Sequence, residues 1–168
     1  MKRICFIYII LFSSYYSFGQ DKLAPEPNQT FIDLYFKQYA GMPGYSVNTM
    51  GEAMVKRSNE TGMWSHPSIA RIMKQVKTYK YLSFDSSPEK SNQIISQLDT
   101  EMKKSSIYKE YYRWELNGKT SGIIYTRSNG NKITELVNVS VGKKNFLVSS
   151  FLGDNIDLES VRSLAIGR

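Results

Sequence analysis

The sequence is poor in the two residue types that most often build metal and nucleophilic sites, since it contains one cysteine, Cys5, and one histidine, His66. A single cysteine cannot form a disulfide within the chain. Structural zinc sites are built mostly from cysteine and histidine, and Ser-His or Cys-His catalysis needs a suitably placed histidine. His66 directly precedes Pro67 at a predicted helix start, where a surface position beside the cap is the ordinary interpretation. The sequence therefore disfavours thiol, zinc and triad chemistry.

Long hydrophobic runs are also lacking. The run "ICFIYIILF" at residues 4–12 is about half the length that a membrane-spanning helix needs. It follows two basic residues and precedes Ser17 and Gly19, small residues that suit a cleavage site, and this layout is typical of a secretory signal peptide. We expect cleavage after Gly19, which removes Cys5 and leaves no transmembrane span. Because no cysteine lies near the cut, we also expect no lipid anchor.

The predicted organisation is a cleaved signal peptide at residues 1–19, a short extended leader at 20–29 and a single domain at 30–168. Removal of 19 residues, two of them basic, leaves 149 residues with 20 basic and 15 acidic side chains, a net charge of +5. A chain of this length is one ordinary domain that can bury a core without disulfides. We expect it to be exported to the periplasm or the extracellular space.

The positive charge does not by itself indicate a nucleic-acid partner. Phosphate binding needs basic residues gathered on one face, with stacking aromatics for single strands. The basic pairs instead fall at predicted helix ends and turns, where lysine is ordinarily solvated: Lys56–Arg57, Lys103–Lys104 and Lys143–Lys144. We expect no nucleic-acid partner. Weak attraction to an anionic envelope surface is the alternative use of the charge.

Capping and periodicity signals predict the helices. Thr30 and Asp33 have the spacing of a capping box, and a short helix is predicted from Glu52 to about Arg57. Pro67 and Pro88 occupy first helical positions, the latter after the N-cap Ser87. The buried face of the helix that begins at Pro67 is predicted to consist of Ile69, Ile72, Met73 and Val76.

Alternating residues and turn dipeptides predict the strands. A short strand at "GYSVNTM" and a longer one at "KTYKYLSFD" lie between the helices. Four strands follow in the last third, with hairpin turns at Asn117-Gly118 and Asn129-Gly130 and a third connection at Gly142. In the first of these strands Tyr112, Trp114 and Leu116 are predicted to share one face. The predicted fold is therefore α+β, a mostly antiparallel sheet with a C-terminal four-strand meander and helices packed on one face.

The stretch "SFLGDNIDLESVRSLA" concentrates acidic and amide side chains at Asp154, Asn155, Asp157 and Glu159. Calcium loops place oxygen ligands at alternate positions with a glycine at the sixth, and this stretch does not fit that spacing. A helix cap explains the residues instead, with Asp157 or Asn155 accepting backbone N–H groups after a turn at Gly153. Leu158, Val161, Leu164 and Ala165 then form the predicted apolar stripe. We predict no metal, cofactor or catalytic residues here or elsewhere in the chain.

The same stretch resembles the ending of the DUF4252 proteins, a family of small exported proteins of Bacteroidota. The segments "FKQYAGMPGYSVNTMGEAM", "IARIMKQVKTYKYLSF" and "EYYRWELNG" resemble that family's first helix, central helix–strand pair and first meander strand. The resemblance covers roughly residues 31–165. Many members carry a lipoprotein cysteine that this sequence lacks, so no membrane tether is implied. The resemblance implies an unknown function and no catalytic residues.

Aromatic residues cluster in the predicted strands, and they admit two interpretations. They could form an interaction face, or they could be half-buried sheet residues, which the strand preference of aromatics favours: Tyr79, Tyr81, Tyr111, Tyr112 and Trp114. The function that we expect is a non-enzymatic binding or accessory module of the bacterial envelope, with an unknown protein partner or the envelope surface as its target. The alternatives are a carboxylate-based enzyme without thiol or zinc, and an envelope regulatory or stress protein.

Overall fold

A computed structural model describes residues 30–142 and 144–166. Within these ranges the protein folds into one six-stranded sheet flanked by five helices. The elements follow one another as α1 (Phe31–Tyr39), β1 (Tyr45–Met50), α2 (Glu52–Glu60), α3 (Pro67–Met73), β2 (Val76–Asp85), α4 (Pro88–Lys104), β3 (Tyr108–Leu116), β4 (Lys119–Asn129), β5 (Lys132–Val141), β6 (Asn145–Ile156) and α5 (Leu158–Ile166). Within the described ranges we find no helix with the length and apolar character needed to cross a membrane. The predicted signal peptide and leader lie outside the described residues.

All five strand pairs are antiparallel, in the order β1-β2-β6-β5-β4-β3. The last four strands form the predicted meander, and β2 joins it by pairing with β6. Asn117 and Gly118 both have positive φ angles, 54° and 71°, as a two-residue turn that follows the twist of a hairpin requires. The second hairpin turns at Gly130, which has a φ of 59°. The α+β class, the meander and both hairpins are therefore confirmed.

The helices lie on both faces of the sheet, and the prediction of one covered face was wrong. Adjacent residues of a strand point to opposite faces, and Ile123 and Ile124 belong to different clusters of buried residues. One cluster contains side chains of α1 and α4, and we call this side the α1/α4 face. The other contains side chains of α2, α3 and α5, and we call it the α2/α3/α5 face. Because the central strands are buried on both sides, β4, β5 and β6 read as runs of buried residues rather than as alternating ones.

The start of β2 corrects one predicted boundary. Val76 was assigned to the buried face of the helix that begins at Pro67, but α3 ends at Met73 and Val76 is the first residue of β2. The Gln75 N–H donates to the Ile72 carbonyl at 2.8 Å and closes the turn between the two elements. Val76 is 6% exposed, so its burial fits either element, and periodicity alone does not distinguish them.

The helix cap predicted after β6 is present. The Ser160 N–H donates to Asp157 Oδ1 at 2.7 Å, and Gln75 binds the Asp157 N–H through its side-chain oxygen at 2.7 Å. The Gln75 amide nitrogen also donates to Asp157 Oδ2 and, at 2.8 Å, to Ser160 Oγ. The loop between α3 and β2 therefore holds the start of α5 in place.

Two details of this region differ from the prediction. The chain does not turn at Gly153, because β6 continues to Ile156; the glycine is needed because a Cβ there would overlap the backbone carbonyl of Gln75. In the predicted apolar stripe Val161 is buried, whereas Leu158 is 46% exposed. The side chains of Leu164 and Ala165 lie outside the described residues.

We predict that Gly153→Ala destabilises the fold. The added Cβ would meet backbone rather than a movable side chain, so the free energy of unfolding should fall by about 2 kcal/mol, measured by urea denaturation. Asn155→Ala, at an exposed position two residues further along β6, is the matched control and should change the stability by less than about 0.5 kcal/mol. Equal effects of the two substitutions would contradict the close approach of Gln75.

Candidate functional site

The acidic residues near the C-terminus are dispersed among separate partners. Asp157 caps α5, Asp154 pairs with Lys77 at 2.5 Å, and Glu159 lies 4.0 Å from Arg71. In the described part of the chain no three histidine, cysteine or acidic side chains lie close enough together to hold a metal ion. His66 is the exposed N-cap residue of α3, in the position predicted for it.

A buried carboxylate that sequence reasoning missed, Glu135 on β5, ties four strands together. Its side chain is 1% exposed and accepts hydrogen bonds from Tyr108 of β3 at 2.9 Å, Arg127 of β4 at 2.8 Å and Ser150 of β6 at 2.7 Å. Burial, together with the Glu135 charge, raises the pKa of Tyr108, so its hydroxyl remains a donor. All three donors come from strands, so this carboxylate is held within the sheet.

Two further carboxylates fasten helices to the α1/α4 face. Asp33 of α1 binds Lys80 of β2 at 2.6 Å, and its Oδ2 accepts from the Thr30 N–H at 3.1 Å in the predicted capping box. Burial would raise the pKa of Asp33, but the hydrogen bonds from Lys80 and Thr30 outweigh it and hold this pKa below its usual value.

Asp99 of α4 accepts from Tyr125, and from Lys103 and Arg113 at 2.9 Å each. The hydrogen bonds from these donors outweigh burial and likewise lower the pKa of Asp99. Asp33 and Asp99 are therefore ionised at neutral pH, and each is already bound to a cation.

The α2/α3/α5 face is covered by helices over only part of its length. On the α1/α4 face the side chains of Leu82, Val139 and Val148 are fully buried. Their immediate neighbours on the opposite face are half-buried although they lie on central strands: Ser83, Ser140 and Leu147. Central strands are ordinarily covered on both faces of a sheet that carries helices on both sides, so within the part of the chain that the structure describes this end of the face is open.

Strand register assigns two rows of residues, each crossing all six strands, to this end of the face. The outer row is Trp114, Gly122, Ser140, Leu147, Ser83 and Ser46, and the inner row is Tyr112, Ile124, Asn138, Ser149, Tyr81 and Asn48. We call these twelve residues the uncharged surface, because none is acidic or basic. The centre of the inner row is buried, whereas the outer row is half-buried or exposed apart from Gly122.

A tryptophan that packs closely on the sheet backbone occupies one end of the uncharged surface. A Cβ on Gly122 would fall within the indole ring of Trp114, so this ring lies directly on the glycine backbone. The ring of Tyr112 is nearly parallel to it, at 21° with centroids 6.2 Å apart. Tyr112 and Trp114 share a face, as predicted. Tyr79, Tyr81, Tyr111 and Trp114 are half-buried, as the strand preference of aromatics suggested, whereas Tyr112 is exposed.

A polar pocket adjoins the other end. It has a volume of about 310 Å³, and its lining includes Ser46 and Ser83 of the uncharged surface together with Asp85 and Asn145. Nearby, the Asn48 amide donates to Ser46 Oγ and to the Tyr81 hydroxyl, both at 3.1 Å. Hydroxyl and amide groups therefore line this end, and the aromatic rings of Tyr112 and Trp114 occupy the other.

The fold and this surface define a small α+β domain with a single antiparallel sheet, in which the described helices cover one face more completely than the other. The family model of the DUF4252 domain of unknown function matches residues 39–164, which is most of the chain. The protein therefore belongs to the DUF4252 family, and the family predicted from the sequence is confirmed. Neither a curated protein nor a solved structure matches the chain significantly.

We predict that Glu135→Ala destabilises the protein strongly. The substitution leaves Arg127, Tyr108 and Ser150 without their shared acceptor, so the free energy of unfolding should fall by about 2–3 kcal/mol in urea denaturation. Glu159→Ala, the same substitution at a side chain that is 70% exposed, should change the stability by less than about 0.5 kcal/mol. A small effect at both positions would show that the buried carboxylate does not tie the strands.

We also predict a loss of stability in acid that depends on Asp33. Its pKa is lower in the folded state than in the unfolded state, so its stabilising contribution is present above the unfolded pKa of about 4 and is lost as the pH falls through the folded pKa. Asp33→Asn should be less stable than the wild type at about pH 7 and lose less stability on going to about pH 3, as measured by thermal melts. A pH profile of Asp33→Asn that runs parallel to that of the wild type would refute the assignment.

Proposed function

We propose that this protein is an exported, non-enzymatic binding module that takes its ligand on the uncharged surface. The observation that carries the proposal is that Ser83, Ser140 and Leu147 lie on central strands and yet remain half-buried. An open sheet face with aromatic and hydrogen-bonding side chains has the groups that ligand sites use, apolar area for contact and a few polar groups for orientation.

The carboxylates of the α1/α4 face support a binding role over catalysis. General acid–base catalysis favours a group with a pKa near the working pH. Burial would raise the pKa values of Asp33 and Asp99, but the hydrogen bonds that these carboxylates accept outweigh it and hold both values low. Glu135 is enclosed by three donors. A carboxylate-based enzyme would need at least one such group free to exchange protons with a substrate.

Export is supported by the layout of the first nineteen residues, with basic residues, an apolar run of nine and Gly19 before the expected cut. The expected export is also consistent with the distribution of charge. After the expected cleavage the chain has 20 basic and 15 acidic residues, a net charge of +5. Such a chain can remain soluble while the twelve uncharged residues stay available for a ligand outside the cytoplasm.

The experiment that tests the binding role is an NMR titration of the ¹⁵N-labelled protein with three probes: a mixture of neutral oligosaccharides, a decapeptide library and phosphatidylglycerol vesicles. We expect at least one probe to shift the amide resonances of the twelve residues of the uncharged surface more than those of the α1/α4 face. Shifts confined to lysine-rich helix ends, or no shift with any probe, would refute the proposal.

A matched pair of variants sharpens this test. Ser140→Lys places a charge in the middle of the outer row and should weaken the response at least about tenfold, since an unpaired charge must then be desolvated by the ligand. Ser128→Lys introduces the same side chain at an exposed position of β4 outside the uncharged surface and should leave the titration unchanged. Similar titrations for the two variants would argue against binding at this surface.

A further inference from the structure

We infer that the ligand of the uncharged surface is a neutral oligosaccharide that lies across the strands, from the pocket beside Ser46 and Ser83 to the indole of Trp114. This inference rests on the proposed binding role and names the class of ligand. It draws on three independent features of the surface, which are its lack of charge, its hydroxyl and amide groups, and its fixed aromatic ring.

The lack of charge disfavours ionic ligands. Charged residues make up 22% of the sequence, yet none occurs among the twelve residues that cross the whole sheet. An anionic headgroup, a nucleic acid or an acidic peptide needs lysine or arginine to replace its hydration, and this surface has neither. An uncharged ligand loses no ionic hydration when it docks here, so the electrostatics of the surface match a neutral partner.

The polar groups match hydroxyls better than they match a peptide backbone. A sugar hydroxyl both donates and accepts hydrogen bonds, and so do serine, asparagine and tyrosine side chains. Such groups recur along the surface and in its pocket: Ser46, Asn48, Tyr81, Ser83, Ser140 and Asn145. At the rim Asp85 adds a carboxylate that can accept from two hydroxyls. Extended peptides, by contrast, are usually bound along a sheet edge through their main chain.

The aromatic end suits the apolar C–H faces of sugar rings. Because the Trp114 indole lies on the backbone of Gly122, one side of this ring is packed against the sheet and its orientation is fixed. A fixed ring loses little conformational entropy on binding. Tyr112, nearly parallel at 21° and 39% exposed, extends the aromatic area at the sheet edge.

The span of the surface sets the size of the ligand. Ser83 on β2 and Trp114 on β3 are separated by β6, β5 and β4, which is about 19 Å at the spacing of neighbouring strands. A monosaccharide reaches only one end of this span, whereas an oligosaccharide of several units contacts both the polar pocket and the indole. We therefore expect affinity to rise with chain length until both ends are occupied.

The test is an array of neutral and anionic oligosaccharides, followed by calorimetry with the strongest neutral binder and with its constituent monosaccharide. We expect a neutral oligosaccharide to bind at least about tenfold more tightly than the monosaccharide, the difference that a second contact region provides. Preference for anionic glycans would overturn the inference. If the decapeptide or vesicle probes shift the uncharged surface while no neutral oligosaccharide binds, the inference fails and the binding role stands. If no probe binds at all, both fail.

Variants tie the binding to the two ends of the surface. Trp114→Ala should weaken oligosaccharide binding about tenfold or more. Because this substitution also removes packing on Gly122, thermal melts must accompany it, and Asn48→Lys tests the polar end without touching the core. Thr49→Lys, the next residue of β1 on the opposite face and also exposed, is the matched control. Weakening by Asn48→Lys but not by Thr49→Lys supports the inference, and equal effects of the two lysines overturn it.

Discussion

A sheet of six strands has two faces to cover, and in the described part of the chain five helices cover most of one face and part of the other. The central strands supply most of the buried apolar surface, since Ile123, Val137 and Val148 are fully buried on one side and Ile124 and Leu136 on the other. Burial of this area is the dominant favourable term in folding. It decides where α1 to α5 must pack, and none of these five helices covers the end of one face.

The two faces of the sheet also differ in the charged side chains that they carry. The well-covered α1/α4 face contains Glu135, which binds strand residues, and Asp33 and Asp99, which bind helices to strands. A buried charge is tolerated only when partners satisfy it, and each of these carboxylates has a basic partner. At the open end of the opposite face no such ion pairs are needed, because none of the described helices docks there and the twelve side chains of the uncharged surface carry no charge.

The sequence indicated the local structure well and the long-range arrangement less well. The Thr30–Asp33 spacing, the proline at the start of α4 and the dipeptide Asn117-Gly118 each determine a cap or a turn through interactions within a few residues. Glu135 could not be foreseen as buried, because its three donors come from strands whose pairing the sequence does not state. The close approach of Gln75 to Gly153 joins residues that are far apart in the chain. Only the apolar runs of the central strands indicated that helices cover both faces of the sheet. Such runs do not alternate between apolar and polar residues, so periodicity alone does not identify them as strands buried on both sides.

The uncharged surface was equally hidden in the sequence, because its residues are spread one or two at a time over all six strands. Two features distinguish it from an end of the sheet that is merely uncovered. Sheet positions that remain open to solvent are ordinarily kept from association by charged residues, yet the half-buried Ser83 and Ser140 and the exposed Asn48 are uncharged. Gly122 weakens the interior of β4 as any glycine weakens a strand, and the space it leaves is filled by the Trp114 indole. Charges along the outer row would protect this end of the sheet from association, and a side chain at 122 would displace the Trp114 indole from the strand. The lack of both favours a surface kept for contact with a neutral ligand.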